Sequence, residues 1–389
     1  FNYYLRKRKL RIICRKHQVR PLLWVIKEAL LGPDKLQQHL EYPAGADSPG
    51  YPDLAAEIAY FKADPTLPKG RLRLSDCLEI HCFNTEGFCC VDGVSIEAGE
   101  NDHYRLDGSY SVQYLNLGKP LPKLGDDFKP PNFGITMIGS GHGFDAHTTT
   151  SGFVVWLLGK GVLVDPPANS SHWLASQGID QRRIHDIILT HCHADHDSGT
   201  LQAILQGSRV NLHTTETILR SFMRKYQSLT GLTSAQFLAT FNFCPVVIDQ
   251  PIKIHGAEFQ FKYRFHTIPT IGFEAFFQGR SFVYSSDTLY DPALIEKLRT
   301  QGLFSDSRAE DLLAFPWHHD LVLHEAGIPP IHTPMHALTA LTAQQRQNLI
   351  LTHISEKSIP PDSGLRLART GVEHTQVLQT RTCPSESTY

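Results

Sequence analysis

The sequence predicts a layered α/β fold. Beyond residue 133, apolar and β-branched runs such as "FVVWLL", "GVLVD" and "DIILT" alternate with helix-like stretches. Several of these runs end in an ionisable side chain, and the residues concerned are Asp165, His191, His213, Asp287, His324 and His353. Because ligands of layered α/β folds bind where strands end, we expect a polar site along one edge of the strands.

Composition along the chain divides the 389 residues into four parts. These are a small α+β accessory region (1–117), a proline- and glycine-rich linker (118–133), the α/β domain (134–375) and a loose tail (376–389). In the accessory region, helix-like segments precede short strands, with hairpin signals at Asp92-Gly93 and Asp107-Gly108. The second and third parts meet where the pattern changes to apolar runs.

The composition excludes two broad classes of protein. No run of 18 uninterrupted apolar residues occurs, so we expect no membrane span. Eight cysteines are too sparse for a disulfide scaffold in a chain of this length, which favours a reducing, cytoplasmic setting. Organellar targeting stays open because the sequence begins at Phe1. The formal net charge of −2 hides a basic block at residues 6–20 that could contact phosphates or anionic lipid, the alternative being a solvated terminus.

The stretch "THCHADHDSG" at 190–199 predicts a metal site. His191 and His193 lie two residues apart in an extended segment and therefore project in the same direction. Asp195 and His196 follow beyond a turn and face the same space. Two adjacent ligand sets of this kind suit a pair of metal ions about 3.5 to 4 Å apart. The alternative is a solvent-exposed histidine-rich turn that binds metal only incidentally.

This stretch resembles the His-x-His-x-Asp-His signature of the metallo-β-lactamase superfamily, and further motifs occur in family order over residues 134–355. "VLVDPP" resembles the upstream strand that ends in Asp165, and "FHTIPTIGF" resembles the third motif, with His266. "SSDTLY" and "LILTHIS" resemble the motifs that supply Asp287 and His353. The resemblance implies the αβ/βα four-layer sandwich of that superfamily.

The resemblance also implies a role for each of these residues. His191, His193 and His266 would bind one metal ion, and Asp195, His196 and His353 would bind the other. Asp287 would bridge the two ions, while Asp165 would orient the metal loop. His213 competes with His266 for the third motif, but no Pro/Gly turn follows it, which favours His266. Imidazole and carboxylate ligands suit Zn²⁺, with Mn²⁺ or iron as alternatives.

"LVLHEAGIPPIHTPMHAL" followed by "NLILTHIS" is most similar to the ribonuclease Z branch of the superfamily. By this similarity, His324 would protonate the leaving group and Glu325 would hold its imidazole, so that Asp195, His324 and Glu325 are the expected catalytic residues. Three features depart from the family pattern: Ser286 stands where a glycine usually precedes the bridging aspartate, the histidine-glutamate motif ends in Gly327, and "THISEKSIP" lacks the aromatic residue and arginine expected after the final histidine.

The expected function is hydrolysis of a phosphodiester at two metal ions, with a metal-bridging hydroxide as the nucleophile. RNA 3′ ends, a cyclic nucleotide or another small phosphodiester are the expected substrates. Two alternatives are an acyl hydrolase for thioesters or lactones on the same metals, and a metal-stabilised binding or regulatory protein without turnover. The N-terminal region is expected to supply substrate selection or a homodimer surface.

Overall fold

The computed structural model describes residues 9–43, 51–63, 74–97, 128–145, 148–206 and 209–378. Its N-terminal part begins with β1 (Leu10–Cys14), α1 (Val19–Leu31), α2 (Leu54–Lys62), the short α3 (Leu74–Cys77), β2 (Leu78–Cys82), β3 (Phe88–Val91) and β4 (Val94–Glu97). β1 and β2 pair in parallel. β3 and β4 form the predicted hairpin around Asp92-Gly93, where both residues have positive φ. Asp107-Gly108 lies outside the described residues.

The second part of the chain supplies the first large sheet and its helices. In order, these are β5 (Phe133–Gly139), β6 (Gly152–Leu157), β7 (Lys160–Val164), α4 (Ser170–Ser176), β8 (Ile184–Ile188), α5 (Ala194–Gln206), β9 (Asn211–Thr214), α6 (Glu216–Thr230), α7 (Ser234–Leu238) and β10 (Asn242–Pro245). β5 to β7 pair antiparallel, and β7 to β10 pair in parallel.

The third part supplies the second large sheet and β17, a strand that joins the first large sheet. Its elements are β11 (Ile252–Ile254), β12 (Ala257–Tyr263), β13 (Ile271–Phe277), β14 (Arg280–Tyr284), α8 (Pro292–Thr300), α9 (Asp306–Leu313), β15 (Leu321–Glu325), α10 (Met335–Thr339), α11 (Ala343–Arg346), β16 (Leu349–Thr352) and β17 (Gln376–Val377). The two sheets have the strand orders β10-β9-β8-β7-β6-β5-β17 and β11-β12-β13-β14-β15-β16.

The two large sheets pack face to face, with helices on their outer faces. Successive residues of β14 show the alternation, because Phe282 and Tyr284 belong to the core between the sheets while Val283 packs with α8 and α9. The rings of Phe153 on the first sheet and Tyr284 on the second are 4.9 Å apart. α6 covers the first sheet through Phe222, which is fully buried in the same core. The predicted four-layer sandwich is confirmed.

Three buried glutamates attach the N-terminal helices to the sandwich. Glu28 on α1 accepts from Ser221 and Arg224 of α6, at 2.6 and 2.7 Å. Glu57 on α2 forms a bidentate pair with the buried Arg308 of α9, at 2.9 and 3.1 Å. The third, Glu41, accepts from the hydroxyl of Tyr263 at 2.8 Å and from the backbone of Thr217. α1 and α2 are therefore built onto the sandwich.

The structure bears on one of two predicted boundaries, the start of the tail at residue 376, and not on the boundary at residue 117. The boundary at residue 117 stays a prediction, because residues 98–127 lie outside the described part of the chain. The start of the predicted tail is wrong, since Gln376 and Val377 form β17 and pair antiparallel with β5. Backbone hydrogen bonding at the free edge of the sheet orders these two residues. Within the described ranges, no helix has the length and apolar character needed to cross a bilayer.

Candidate metal centre

The metal loop connects β8 to α5 at the edge where strands of both sheets end. His191 and His193 lie in the loop, and Asp195 and His196 lie in the first turn of α5. The backbone N–H of His196 donates to the carbonyl of His193 at 3.1 Å, which tightens the entry into the helix. Acidic side chains are favourable in a first helical turn, where the unpaired N–H groups carry partial positive charge. The short loop thus holds four candidate ligands.

The first ligand group contains the three histidines expected at one ion. Nε2 of His191 and Nε2 of His266 lie 3.1 and 3.2 Å from Nδ1 of His193. Oδ2 of Asp287 lies 3.6 Å from His191 Nε2 and 3.7 Å from His266 Nε2. All four ligand atoms lie within 4.8 Å of one another, which is the convergence that a tetrahedral site requires.

The second ligand group is adjacent. Nε2 of His353 lies 3.2 Å from Oδ2 of Asp195, and Nε2 of His196 lies 3.8 Å from the same oxygen. Asp287 faces this group as well, because its Oδ1 lies 3.3 Å from His196 Nε2 and its Oδ2 lies 3.5 Å from His353 Nε2. One carboxylate therefore contacts both groups, in the position of a bridge.

The chemistry of these atoms fits bound cations. His196 Nε2 and Asp287 Oδ1 are buried, and neither has a hydrogen-bond partner among the described residues. Burial lowers the pKa of His191, His193 and His266, so these imidazoles are neutral and have lone pairs for a metal. Burial also disfavours a charged His196, yet the carboxylates of Asp287 and Asp195 raise its pKa well above the usual range. A positive charge beside Asp287 and Asp195 is therefore favourable, and a bound cation would supply it.

Asp165 fixes the orientation of His196. It follows β7, and its Oδ2 lies 3.1 Å from Nδ1 of His196, which leaves Nε2 directed at the cluster. The same carboxylate accepts from the backbone and hydroxyl of Thr190, at 2.9 and 2.6 Å. Thr190 directly precedes the first ligand of the loop. Such partners set the tautomer of a ligating histidine.

Two backbone features explain residues beside the ligands. Ser286 has φ of 52°, the left-handed region that glycine adopts without cost, and its hydroxyl donates to Thr190 Oγ1 at 2.8 Å. A glycine, which the family usually has at this position, could not make this hydrogen bond. Gly143 approaches Asp195 so closely that a Cβ there would lie 2.7 Å from Oδ2, and its N–H donates to that oxygen at 2.9 Å.

The structure does not bring His324 into this cluster, and its expected role in protonation is corrected. Adjacent strand residues face opposite sides of a sheet, and His324 faces the outer core. Its ring stacks on Trp317 at 5.2 Å and contacts Phe315 at 4.8 Å, while its Nδ1 lies 2.6 Å from the carbonyl of Glu325. Burial lowers the pKa of His324 to about 4, so it is neutral near pH 7.

His332, which the sequence analysis did not select, occupies the place beside the ligands. Its Nδ1 lies 3.4 Å from Glu325 Oε2 and 3.9 Å from Asp287 Oδ2, and its ring lies 4.7 Å from that of His353. Glu325 is itself held, because its Oε1 accepts from the backbone N–H groups of Thr288 and Thr333. The sequence signal was a histidine in the non-periodic stretch between two strands that both end at the site.

Gly327 explains the second departure from the family pattern. A Cβ at this position would lie 2.7 Å from Cβ of His332 and 2.8 Å from its Cγ. Such approaches are shorter than real Cβ contacts, so any larger residue would displace His332. The missing side chain at Gly327 thus makes room for the histidine beside the cluster.

His213 and Cys192 lie outside the ligand cluster. Nε2 of His213 donates to Oδ1 of Asp186 at 2.8 Å, and His213 does not reach the ligands. Cys192 points away from the cluster into the core, where its Sγ lies 3.5 Å from the carbonyl of Ile218. Burial raises the pKa of Cys192 well above its usual range, so its thiol is protonated. His266 is therefore the third-motif histidine that meets the metal loop.

Two facing sheets between helical layers, with clustered histidines and aspartates where the strands end, define a protein of the metallo-β-lactamase fold. The chain belongs to the family of the anti-Pycsar protein Apyc1, which matches residues 133–370. That match contains every candidate ligand and all strands of the two large sheets except β17. α1 and α2 precede it.

Two curated relatives come from Dictyostelium discoideum. A cGMP-dependent 3′,5′-cGMP phosphodiesterase A is 52% identical over 310 residues, which cover 79% of this chain and 36% of that protein. A cAMP/cGMP-dependent 3′,5′-cAMP/cGMP phosphodiesterase B is 40% identical over 284 residues, which cover 70% of this chain and 25% of that protein. The chain thus spans about a third and a quarter of their lengths.

Among solved structures, the metallo-β-lactamase fold protein YhfI from Bacillus subtilis is similar with a TM-score of 0.46 and 18% identity. The similarity covers 61% of this chain and 98% of that one. The short form of human tRNase Z has a TM-score of 0.44 and 19% identity, covering 61% of this chain and 97% of that one.

Proposed function

We propose that this chain is a metal-dependent phosphodiesterase that opens the ring of 3′,5′-cyclic nucleotides. The observation that carries the proposal is the position of Asp287, whose carboxylate faces two groups of candidate ligands at once. The names of the two relatives, which are 52% and 40% identical, favour cyclic nucleotides among the phosphodiesters. RNA 3′ ends and small linear phosphodiesters are then secondary substrates.

The residues fit two divalent cations. His191, His193 and His266 would hold one, Asp195, His196 and His353 the other, and Asp287 both. We propose Zn²⁺, with Mn²⁺ or iron as alternatives, because the ligands are imidazole nitrogens and carboxylate oxygens. When bound, such a pair lowers the pKa of a water and stabilises charge on phosphoryl oxygens.

The remaining chemistry concerns the leaving group. Attack of hydroxide at phosphorus forms the new P–O bond and breaks the bond to the ribose O3′, and the resulting alkoxide needs a proton. We infer that His332 donates it and that the carboxylate of Glu325, whose Oε2 lies 3.4 Å from Nδ1, stabilises the imidazolium. Burial opposes charge on His332, yet Glu325 and Asp287 together raise its pKa above the usual value. This direction of the pKa shift favours the protonated imidazole that a proton donor needs.

The test is turnover of cyclic GMP and cyclic AMP by the purified chain, with loss of turnover on chelation. Asp287→Asn should abolish turnover and lower the bound metal, because an amide cannot bridge two cations as a carboxylate does. Asp362→Asn, at an exposed aspartate that belongs to neither ligand group, is the matched control and should retain both. Full activity of Asp287→Asn, or a preference for thioesters over every phosphodiester, would overturn the proposal.

A further inference from the structure

A cavity of about 240 Å³ lies over the candidate ligands, and the N-terminal helices form one of its walls. Its floor includes His193, Asp195, Asp287 and His353. Its wall includes the last turn of α1, residues 29–31, and the last two residues of α2, Phe61 and Lys62. A substrate whose phosphate lies on the floor therefore has α1 and α2 within reach as one wall of the cavity.

This wall is fixed in place. Glu28, whose carboxylate pairs with Arg224, directly precedes the wall residues of α1. Glu57, whose carboxylate pairs with Arg308, lies one turn before Phe61 on α2. Both glutamates are almost fully buried. Because each helix is attached beside the residues it gives to the cavity, the wall is a part of the site, although it precedes the family match at 133–370.

Lys62 is the charged residue of an otherwise apolar wall that includes Leu30, Leu31 and Phe61. The side chain of Lys62 is half-buried, and no described residue forms a hydrogen bond or ion pair with its ammonium group. Burial lowers its pKa and the neighbouring Lys27 lowers it further, while the carboxylates of Asp34 and Glu28 offset part of this. A partly desolvated donor without a hydrogen bond is costly, and a ligand that offers acceptors at this place would relieve the cost.

We propose that Lys62 is a specificity-determining residue that donates a hydrogen bond to the guanine of a bound cyclic nucleotide, in a base subsite formed by α1 and α2. The inference rests on the proposed function, which places the phosphate on the floor of the cavity. Guanine presents two adjacent acceptors, O6 and N7, whereas adenine presents an amino donor in place of O6. An ammonium group has only donors and therefore favours guanine. The apolar wall packs against the base.

The experiment compares selectivity in three proteins. The ratio of kcat/KM for cyclic GMP to that for cyclic AMP is measured for the parent chain, Lys62→Met and Lys62→Arg. Lys62→Met keeps an apolar side chain of similar length without the donor, and its ratio should fall by about tenfold, the loss of one good base contact. Lys62→Arg keeps donors and should keep most of the preference. Lys297→Met, at an exposed lysine of α8, is the matched control and should leave the ratio unchanged.

Two results would overturn the inference. One is an unchanged ratio in Lys62→Met. The other is an equal loss for cyclic GMP, cyclic AMP and bis(p-nitrophenyl) phosphate, which has no base, because that pattern places Lys62 at the phosphate.

Calorimetric titration with guanosine and adenosine 5′-monophosphates separates this inference from the proposed function. If the parent chain hydrolyses no cyclic nucleotide, the proposed function fails. A guanine preference that disappears in Lys62→Met would still support the subsite, and equal binding of the two nucleotides would overturn it.

Discussion

The imidazole of His332 and the carboxylate of Glu325 form a buried pair at the rim of the ligand cluster, with Nδ1 and Oε2 3.4 Å apart. Glu325 ends β15, and His332 lies in the loop that follows. Because backbone N–H groups hold the other carboxylate oxygen, the pair is preorganised. This is the arrangement that a proton donor to a leaving alkoxide requires.

We expect His332→Ala to lower kcat for cyclic GMP by about 100-fold or more, the typical contribution of a general acid. Turnover of bis(p-nitrophenyl) phosphate should fall much less, because p-nitrophenolate leaves without a proton. His336→Ala removes an exposed histidine four residues away and serves as the control. Equal losses for the two substrates in His332→Ala would show that His332 acts on binding or metal retention instead.

His324 should behave in the opposite way, since it lies in the outer core. His324→Phe preserves the stacking on Trp317 and should leave kcat near that of the parent chain. A large loss of kcat with a native fold would restore the role expected from the sequence. Steady-state kinetics on both histidine variants therefore decide which of the two donates the proton.

His324 also gives a pH dependence of stability. An unfolded histidine has a pKa of about 6.5, and the buried ring of His324 has a pKa of about 4. Because the folded pKa is the lower one, the stability from neutral His324 is complete above pH 6.5 and is lost as the pH falls toward 4.

Between pH 7 and pH 4, the parent chain should therefore lose about 2 to 3 kcal/mol more unfolding free energy than His324→Phe. Urea unfolding at several pH values measures the difference. Parallel curves for the two proteins would contradict it.

The sequence identified the residues that are close in the chain or carried by a motif. The metal loop, His191 to His196, could be predicted because its ligands alternate along one short segment. The orientations of His324 and His332 were harder to predict. A strand end directs only one of two adjacent side chains toward the site, and a loop has no periodicity from which the direction of a side chain can be inferred. The strand that ends at Glu325 and the loop that follows it could be recognised in the sequence. Which of their two histidines faces the ligands depends on how the strand and the loop pack.

The attachment of the N-terminal helices could not be predicted for a related reason. Glu28 and Glu57 meet partners 196 and 251 residues later in the chain, and no local pattern encodes such pairs. A glutamate in an amphipathic helix is normally a solvated residue. Only the packing of α1 on α6 and of α2 on α9 buries these two. The sequence therefore indicated the helices but not their place beside the cavity.

Glu57→Gln should destabilise the chain by up to about 3 to 5 kcal/mol, because it leaves the buried guanidinium of Arg308 with only the more exposed carboxylate of Asp311 as a counter-charge. Glu216→Gln breaks a more exposed pair with Arg220 and should cost about 0.5 kcal/mol or less. Chemical denaturation of both variants gives the two free energies. Similar small changes would mean that α2 is not held by this pair.

Asp165→Asn should weaken metal binding by about 10- to 100-fold, because the amide cannot accept from His196 and Thr190 as the carboxylate does. The matched control is Asp186→Asn, which alters a buried aspartate that pairs with His213 away from the cluster. Competition with a chromogenic chelator measures the affinities. Equal effects of the two variants would remove the orienting role from Asp165.

If seven side chains bind two cations joined by Asp287, anomalous scattering from crystals of the metal-loaded protein will locate both ions. We expect two peaks about 3.5 to 4 Å apart, as in other two-metal hydrolytic sites. One peak should lie among His191, His193 and His266, and the other among Asp195, His196 and His353. A single peak, or two peaks of which only one contacts Asp287, would contradict the account.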